Sequence, residues 1–115
     1  KYGSVKTMCS IKEVIESAGL PAERGVYTGK KKPAAYCTFL RLNKGAALRA
    51  DDKTSSGREL YRVTLFCKGN FEKSLKLLTE KMEVAGFYIN SVDTEHYETE
   101  TGYWLIPVTI EILKE

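Results

Sequence analysis

A strand pattern passes directly into a helix pattern between residues 59 and 87, and this stretch limits the fold more than any other part of the chain. Over residues 59–68 every second residue is apolar, which is the period of a strand that buries one face. The apolar positions are Tyr61, Val63, Leu65 and Cys67. A strand of this kind needs an apolar surface above it, and we expect the next segment to supply one.

From Phe71 onward the apolar residues recur at steps of three and four, so they form one stripe along about four turns of helix. The stripe consists of Phe71, Leu75, Leu78, Met82 and Ala85. Asn70 is placed to cap the first turn by accepting a backbone N–H. Gly86 is placed to end the helix in the left-handed conformation, with Phe87 folding back onto it. We therefore expect a helix that packs its stripe on the preceding strand.

A shorter helix is predicted near the start of the chain. Ser10 and Glu13 have the spacing of a capping box, and Gly19 with the following proline marks the end of the helix. The apolar stripe between them consists of Ile11, Val14, Ile15 and Ala18. A helix this short does not stand alone in water, so it must dock on the sheet or on a neighbouring subunit.

Three more strands are predicted. Residues 35–42 are partly apolar on both faces, so this strand is either central in the sheet or covered on its outer face. Residues 88–98 form a polar strand, and residues 103–113 form a strongly alternating apolar one. Pro107 in the last strand lacks a backbone donor, which predicts a free edge or a bulge at that position.

The predicted element order is helix, strand, long loop, strand, helix, strand, strand, or αββαββ. This order predicts a single α+β domain with a mainly antiparallel sheet and helices packed on one face. The 115 residues are enough for one domain, which we place at residues 8–115. Met8 can be the natural start, so residues 1–7 are expected to be an upstream extension or an expression remnant.

Composition excludes some classes of protein. The net charge of +3 is too small to indicate nucleic-acid binding by itself. No apolar run approaches the roughly 20 residues of a spanning helix, so no membrane segment is expected. The cysteines Cys9, Cys37 and Cys67 are odd in number and have no C-x-x-C spacing, which favours free thiols in a reducing cytoplasm over a disulfide framework or a zinc site.

No group of residues predicts catalysis. His96 has no nucleophile or orienting partner that the sequence can assign, and it is expected to be exposed to solvent. The carboxylates near it lack the spacing of a calcium loop, so we interpret them as a solvated strand face. They are Asp93, Glu95, Glu98 and Glu100. We predict no catalytic, cofactor-binding or metal-binding residue, no cofactor and no enzymatic activity.

A small basic patch is predicted in the loop of residues 22–34. Lys30, Lys31 and Lys32 follow one another there, with Tyr27 and Tyr36 nearby. The three lysines are candidates for phosphate contacts, which would be nonspecific and sensitive to salt. The alternative interpretation is an ordinary solvated lysine loop.

The loop of residues 43–58 has no periodicity and exceeds the roughly 12 residues above which connections are usually functional or disordered. Two interpretations remain open, a mobile hairpin tip and a segment that orders on assembly. The chain also has seven tyrosines and one tryptophan. Such amphipathic rings are enriched at protein interfaces, which favours assembly over catalysis.

The chain resembles the small tail-completion, or tail-terminator, proteins of long-tailed bacteriophages and prophages. The similarity lies in the element order, in residues 58–66 running into the helix after Asn70, and in the closing GYWLIPVTIEI of residues 102–112. It covers nearly the whole chain from about residue 8. The resemblance implies a structural virion protein whose copies form a ring, typically a hexamer, that caps the tail tube and joins it to the head connector. It implies a place in the host bacterial cytoplasm during assembly and then in the virion tail.

The expected partners are therefore other copies of the chain, tail-tube proteins and head-connector proteins. We expect the copies to associate head to tail through sheet edges and the loop of residues 43–58. The candidate interface residues are Leu48, Arg49, Asp51, Asp52, Lys53, Arg58 and Tyr103. The alternative function is a small nucleic-acid-binding α+β module that stacks bases on sheet tyrosines. The strand signature of RNA-recognition motifs is missing, so specific nucleic-acid binding is not expected.

Overall fold

The computed structural model describes residues 10–29, 31–42 and 58–113. Its two helices are α1 (Ile11–Ser17) and α2 (Phe71–Val84). Its strands are β1 (Ala22–Arg24), β2 (Ala35–Arg41), β3 (Arg58–Cys67), β4 (Tyr88–Val92), β5 (His96–Glu98) and β6 (Tyr103–Leu113). They form one sheet in the order β1-β2-β3-β6-β4, and β5 pairs with β6 on the side that also carries β4.

The predicted class is confirmed: the chain is an α+β domain in which both helices pack on one face of a mostly antiparallel sheet. Among the six described strands, only β1 and β2 pair in parallel. The observed order among the described residues is αβββαβββ, which is longer than the predicted αββαββ. β1 lies in a segment that was predicted as a loop, and the single strand predicted over residues 88–98 is divided into β4 and β5.

Pro107 lies opposite this division. β3 pairs with β6 through Pro107, but on the other side β4 and β5 leave Pro107 without a strand partner, so the free edge predicted there is present as a local gap. Val92 pairs with Val108 and His96 pairs with Leu105, which leaves residues 93–95 beside Pro107. The N–H of Asp93 donates to the carbonyl of Pro107 at 2.8 Å. Because N–H and C=O of one strand residue point to the same side, the missing donor of Pro107 faces the interruption, where no strand partner needs it.

The hydrophobic core lies between the helices and one face of the sheet. The register aligns Phe39, Val63 and Val108 across three strands, and all three side chains are buried. Ile15 of α1 and Leu78 of α2, both without exposed surface, belong to the same buried cluster. The alternation predicted for β3 and β6 is therefore confirmed, because a shift of one residue would turn these side chains to the other face.

The predicted ends of α2 are also confirmed. The side chain of Asn70 accepts from the N–H of Glu72 at 3.0 Å. Gly86 has a φ of +94°, and the N–H of Phe87 donates to the carbonyl of Met82 at 3.0 Å, so the carbonyls of the last turn are satisfied. The prediction is wrong for one residue of the stripe. Ala85 is exposed, because it is the C-cap at the point where the chain leaves the helix.

The start of α1 follows the predicted capping pattern, with the hydroxyl of Ser10 accepting from the N–H of Glu13 at 3.1 Å. The stripe residues of this helix are buried. Cys37 and Cys67 are also buried and are free thiols, and burial raises the pKa of the Cys37 thiol well above its ordinary value. Cys9 lies outside the described residues.

Candidate functional site

The face of the sheet opposite the helices, here called the open face, carries three adjacent rows of side chains from β2, β3 and β6. The rows are Tyr36, Phe66 and Leu105, then Thr38, Thr64 and Pro107, then Leu40, Arg62 and Thr109. Leu40 is 49% exposed. Beside it, the Nε of Arg62 donates to the hydroxyl of Thr109 at 3.2 Å, so the guanidinium lies along the sheet surface.

An aromatic cluster occupies one end of the open face. The rings of Tyr36 and Phe66 stack at a centroid distance of 4.6 Å with an interplanar angle of 4°. The ring of Tyr103 contacts the ring of Tyr36 edge-on at a centroid distance of 5.4 Å. The ring of Tyr27 is tilted relative to that of Tyr36, at a centroid distance of 4.6 Å. Stacked and edge-on pairs are both favourable arrangements of aromatic rings, so the four rings form a second, smaller apolar centre.

Residues 25–29 and 31–34, here called the strap, connect β1 to β2 and contact this cluster. The hydroxyl of Tyr103 donates to the carbonyl of Pro33 at 2.6 Å. The N–H of Lys68 donates to the carbonyl of Ala34 at 2.9 Å. At Gly29 an added Cβ would lie 2.9 Å from Cε1 of Tyr27, so only glycine fits beside that ring without a shift. At its other end the N–H of Gly25 donates to the carbonyl of Phe39 at 2.9 Å, so the strap is held on the sheet from both of its ends.

Two of the three tyrosines of the cluster are buried inside the subunit. Tyr36 is 4% exposed and Tyr103 is 5% exposed. The Tyr103 side chain therefore has little surface left for the contact with another copy that the sequence suggested. Burial, with smaller contributions from Tyr103, Glu98 and Tyr27, raises the pKa of Tyr36 to about 12, and burial also raises the pKa of Tyr103.

Lysine side chains surround the strap. Lys31 and Lys32 are exposed, and Lys30 lies outside the described residues. Lys68, which the sequence did not single out, is also exposed, and its ammonium lies 4.9 Å from the ring centroid of Tyr103. This distance is that of a cation–π contact. The contact between Lys68 and Tyr103 could not be predicted from the sequence, because the two residues come together only through the pairing of β3 with β6.

The edge of the sheet formed by β4 and β5 is acidic, and its Glu98 pairs with Tyr103, the residue that Lys68 and the strap contact. Residues 85–113 include no lysine or arginine, and their carboxylates are Asp93, Glu95, Glu98, Glu100 and Glu111. Asp93 and Glu95 are exposed between β4 and β5, and His96 is exposed, as predicted. Within residues 10–29, 31–42 and 58–113, no three His, Cys, Asp or Glu side chains are grouped to hold a metal ion.

Exposed apolar side chains also gather at the two edges. The large exposed ones among the described residues are Val26, Leu40, Leu77, Val84, Tyr88, Val92 and Tyr97. Val26 and Leu40 lie beside the strap, where Cδ2 of Leu40 is 3.9 Å from the Cβ position of Gly25. Tyr88, Val92 and Tyr97 belong to β4 and β5. We call the first group, with Lys31, Lys32 and Lys68, the basic side, and the second group, with Asp93 and Glu95, the acidic edge.

Most of the predicted interface residues cannot be placed. Leu48, Arg49, Asp51, Asp52 and Lys53 lie outside the described residues, as do residues 43–57 of the predicted assembly loop and residues 1–9. Arg58 is the first residue of β3, and its backbone pairs with Leu113. The terminal strand does not form a sheet edge, because β6 lies between β3 and the β4–β5 side.

Comparison with protein-family models and with curated proteins finds no match for this chain. The helices of the described segments are too short or too polar to cross a membrane. What the chain does must therefore be inferred from the resemblance noted above and from the arrangement of its surfaces.

Proposed function

We propose that this chain is a non-enzymatic structural protein of a bacteriophage or prophage tail, similar to the tail terminators. Its copies form a ring, a hexamer by that resemblance, which caps the tail tube and joins it to the head connector. The protein acts by presenting surfaces to its own copies and to tail-tube and connector proteins. It assembles in the host cytoplasm and then resides in the virion tail.

The observation that best supports this proposal is the position of the exposed apolar side chains. Single exposed hydrophobic residues scattered over a surface are ordinary, whereas grouped ones mark contact sites. Here Val26, at 67% exposure, and Tyr88, at 64%, lie at opposite edges of one sheet, each with further apolar neighbours. Contacts at two opposite edges are what a subunit needs to join a neighbour on each side.

The alternative, a nucleic-acid-binding module, has less support. Stacking on bases needs exposed rings, but Tyr36 and Tyr103 are buried under the strap. The acidic edge would repel phosphates, and the basic side offers only exposed lysines, which hold a backbone without reading a sequence. Nucleic-acid binding is therefore the less supported of the two functions.

The proposed function is tested by complementation of tails. Tails assembled without this protein should fail to join heads, and adding the purified protein should restore joining and place a ring at the end of the tube, visible by negative-stain electron microscopy. Native mass spectrometry over a concentration series, with and without purified tail tubes, should show a closed oligomer. A protein that stays monomeric in every mixture, together with tails that join heads without it, would contradict the proposal.

A further inference from the structure

We infer that the helix-side face of the hairpin formed by β5 and β6 binds an arginine-bearing segment of another protein. The binding surface is a row of three aromatic rings, those of Phe71, Trp104 and Tyr97, here called the aromatic ridge. The inference goes beyond the proposed function, because it names a binding surface and the chemistry of its ligand and does not depend on how copies of the chain associate.

The aromatic ridge runs from the start of α2 to the edge strand β5. The ring centroids of Phe71 and Trp104 are 5.5 Å apart, and those of Trp104 and Tyr97 are 4.9 Å apart. Trp104 and Tyr97 are direct partners in the pairing of β6 with β5. Side chains two residues apart in a strand share a face, so Trp104 lies on the same face as the buried Ile106, which is the helix side.

The ridge is anchored at one end and exposed at the other. Phe71 and Trp104 are partly buried and pack against the hydrophobic core, whereas Tyr97 keeps 44% of its surface exposed. α2 begins at Phe71 and contacts β3 and β4, so the ring of Tyr97 stays open to solvent. Aromatic rings held in place by a core are the residues that interfaces most often use as anchors.

Three exposed carboxylates border the ridge. Glu72 follows Phe71 in α2, Glu95 directly precedes β5, and Glu100 lies in the turn that joins β5 to β6. Lys73, next to Glu72, is an exposed cation at the α2 end of the ridge. Residues 85–113 include no lysine or arginine, so negative charge predominates at the exposed end, around Tyr97.

Glu98 does not belong to this border. It pairs with Tyr103 on the open face, where the ammonium of Lys68 lies over the Tyr103 ring. Its carboxylate accepts from the hydroxyl of Thr101 at 2.8 Å. The cation–π contact of Lys68 and the aromatic ridge are therefore on opposite faces of the sheet.

Rings and carboxylates together fit an arginine side chain. A guanidinium stacks on the face of a tyrosine or tryptophan ring, and its N–H groups donate to carboxylates in parallel pairs. A lysine ammonium is more strongly hydrated and lacks the planar shape for stacking. The carboxylates would repel a phosphate-bearing ligand, and a neutral sugar would stack on the rings without using the charge.

The arginines of the chain itself favour a different protein over a second copy as the source of this segment. The structure describes three arginine side chains, and each is engaged inside the subunit. Arg24 lies over the ring of Phe39 at 5.2 Å, Arg41 pairs with Glu59 at 3.2 Å, and Arg62 donates to Thr109.

Trp104 is the only tryptophan of the sequence and lies in the middle of the ridge, so its indole reports binding there. The probe is a capped heptapeptide that alternates glycine and arginine. Titrated into the native protein, it should shift the indole N–H resonance of Trp104 to saturation, and added salt should weaken the binding. The same peptide with citrulline, which keeps the shape of arginine without its charge, should leave the resonance in place. A lysine peptide should bind about two- to fivefold more weakly.

Two variants locate the contact. Tyr97→Ala removes the exposed ring and should weaken binding of the arginine peptide about two- to fivefold. Glu95→Gln/Glu100→Gln removes two border charges and should weaken binding and flatten its dependence on salt. The matched control is Tyr88→Ala, because Tyr88 is also exposed but pairs with Glu111 in β4, away from the ridge. The control should bind like the native protein, and urea denaturation shows that each variant is folded.

An indole resonance that does not move, or that moves equally with the citrulline peptide, overturns the inference. Equal weakening in Tyr97→Ala and Tyr88→Ala also overturns it. A shift caused by a neutral oligosaccharide but not by the arginine peptide would assign the ridge to a sugar, and a shift caused by raising the concentration of the native protein alone would assign it to a second copy. Failure of tail complementation while the peptide still binds would contradict the proposed function only.

Discussion

The hydroxyl of Tyr103 donates to the carbonyl of Pro33 at 2.6 Å, and this bond ties the strap to an interior strand of the sheet. Tyr103→Phe removes the hydroxyl donor, so the carbonyl of Pro33 loses a partly buried hydrogen bond. We expect a loss of about 1–3 kcal/mol in the free energy of unfolding, measured by urea denaturation. Tyr97→Phe, in a more exposed tyrosine, is the control and should change stability little. Equal losses in the two variants would contradict the role given to this bond.

The buried face of α2 provides a second prediction with a control one residue away. Leu78 has no exposed surface, whereas Leu77 is 42% exposed. Leu78→Ala should lower the free energy of unfolding by about 2–5 kcal/mol, because it removes buried methyl groups and leaves a cavity. Leu77→Ala should cost much less in the same denaturation experiment. A loss below about 0.5 kcal/mol for Leu78→Ala would mean that the helix presents a different face to the sheet.

Alkaline pH should destabilise the aromatic cluster. The pKa of Tyr36 is raised from 10.0 to about 12 in the folded chain. Between these values the folded state retains a proton that the unfolded state loses, so the unfolding free energy falls as pH rises. The contribution is fully present below about pH 10 and is lost as the pH passes through about 12.

Urea midpoints of the native protein and of Tyr36→Phe, compared from pH 8 to pH 12, check this expectation. The native protein should show the steeper decline above pH 10, and the difference isolates Tyr36 from the lysines that titrate in the same range. Parallel declines in the two proteins would show that the phenol does not carry the effect.

The three consecutive lysines of residues 30–32 should bind nucleic acid only weakly and without selectivity. Replacing Lys30, Lys31 and Lys32 by alanine should reduce any binding of labelled DNA or RNA and flatten its dependence on salt. Fluorescence anisotropy at about 50 and 200 mM salt, with two unrelated oligonucleotide sequences, measures both effects. Submicromolar binding of one sequence over the other at physiological salt would favour the nucleic-acid-binding alternative.

The elements that sequence reasoning predicted well are those decided by local pattern. The alternation around Val63, the cap at Asn70 and the terminating Gly86 each depend on residues within a few positions. The strap and its aromatic cluster were not predicted from the sequence, because both depend on the register between strands that are far apart in the chain. Phe66 lies on the face of β3 that the alternation predicts to be polar. Its position between Tyr36 and Leu105 in the sheet explains why an aromatic ring is found there.

The division of residues 88–98 was missed for a similar reason. The effect of Pro107 depends on which strand lies on its carbonyl side, and this is a property of sheet order, not of the proline itself. The surfaces proposed for assembly were partly foreseen. The lysines at residues 31 and 32 and the carboxylates around His96 stand out in the sequence, but their positions relative to the sheet follow from the topology.

The interior position of β6 also bears on how the chain is made. This strand follows every other described element in the sequence, yet β3, β4 and β5 all pair with it. Without residues 103–113, β1, β2 and β3 can still pair with one another, but β3 has an open edge and β4 and β5 have no strand to pair with. During synthesis the edge of β3 that later pairs with β6, in the strand that carries Val63 and Leu65, is therefore open to other chains until β6 has been made.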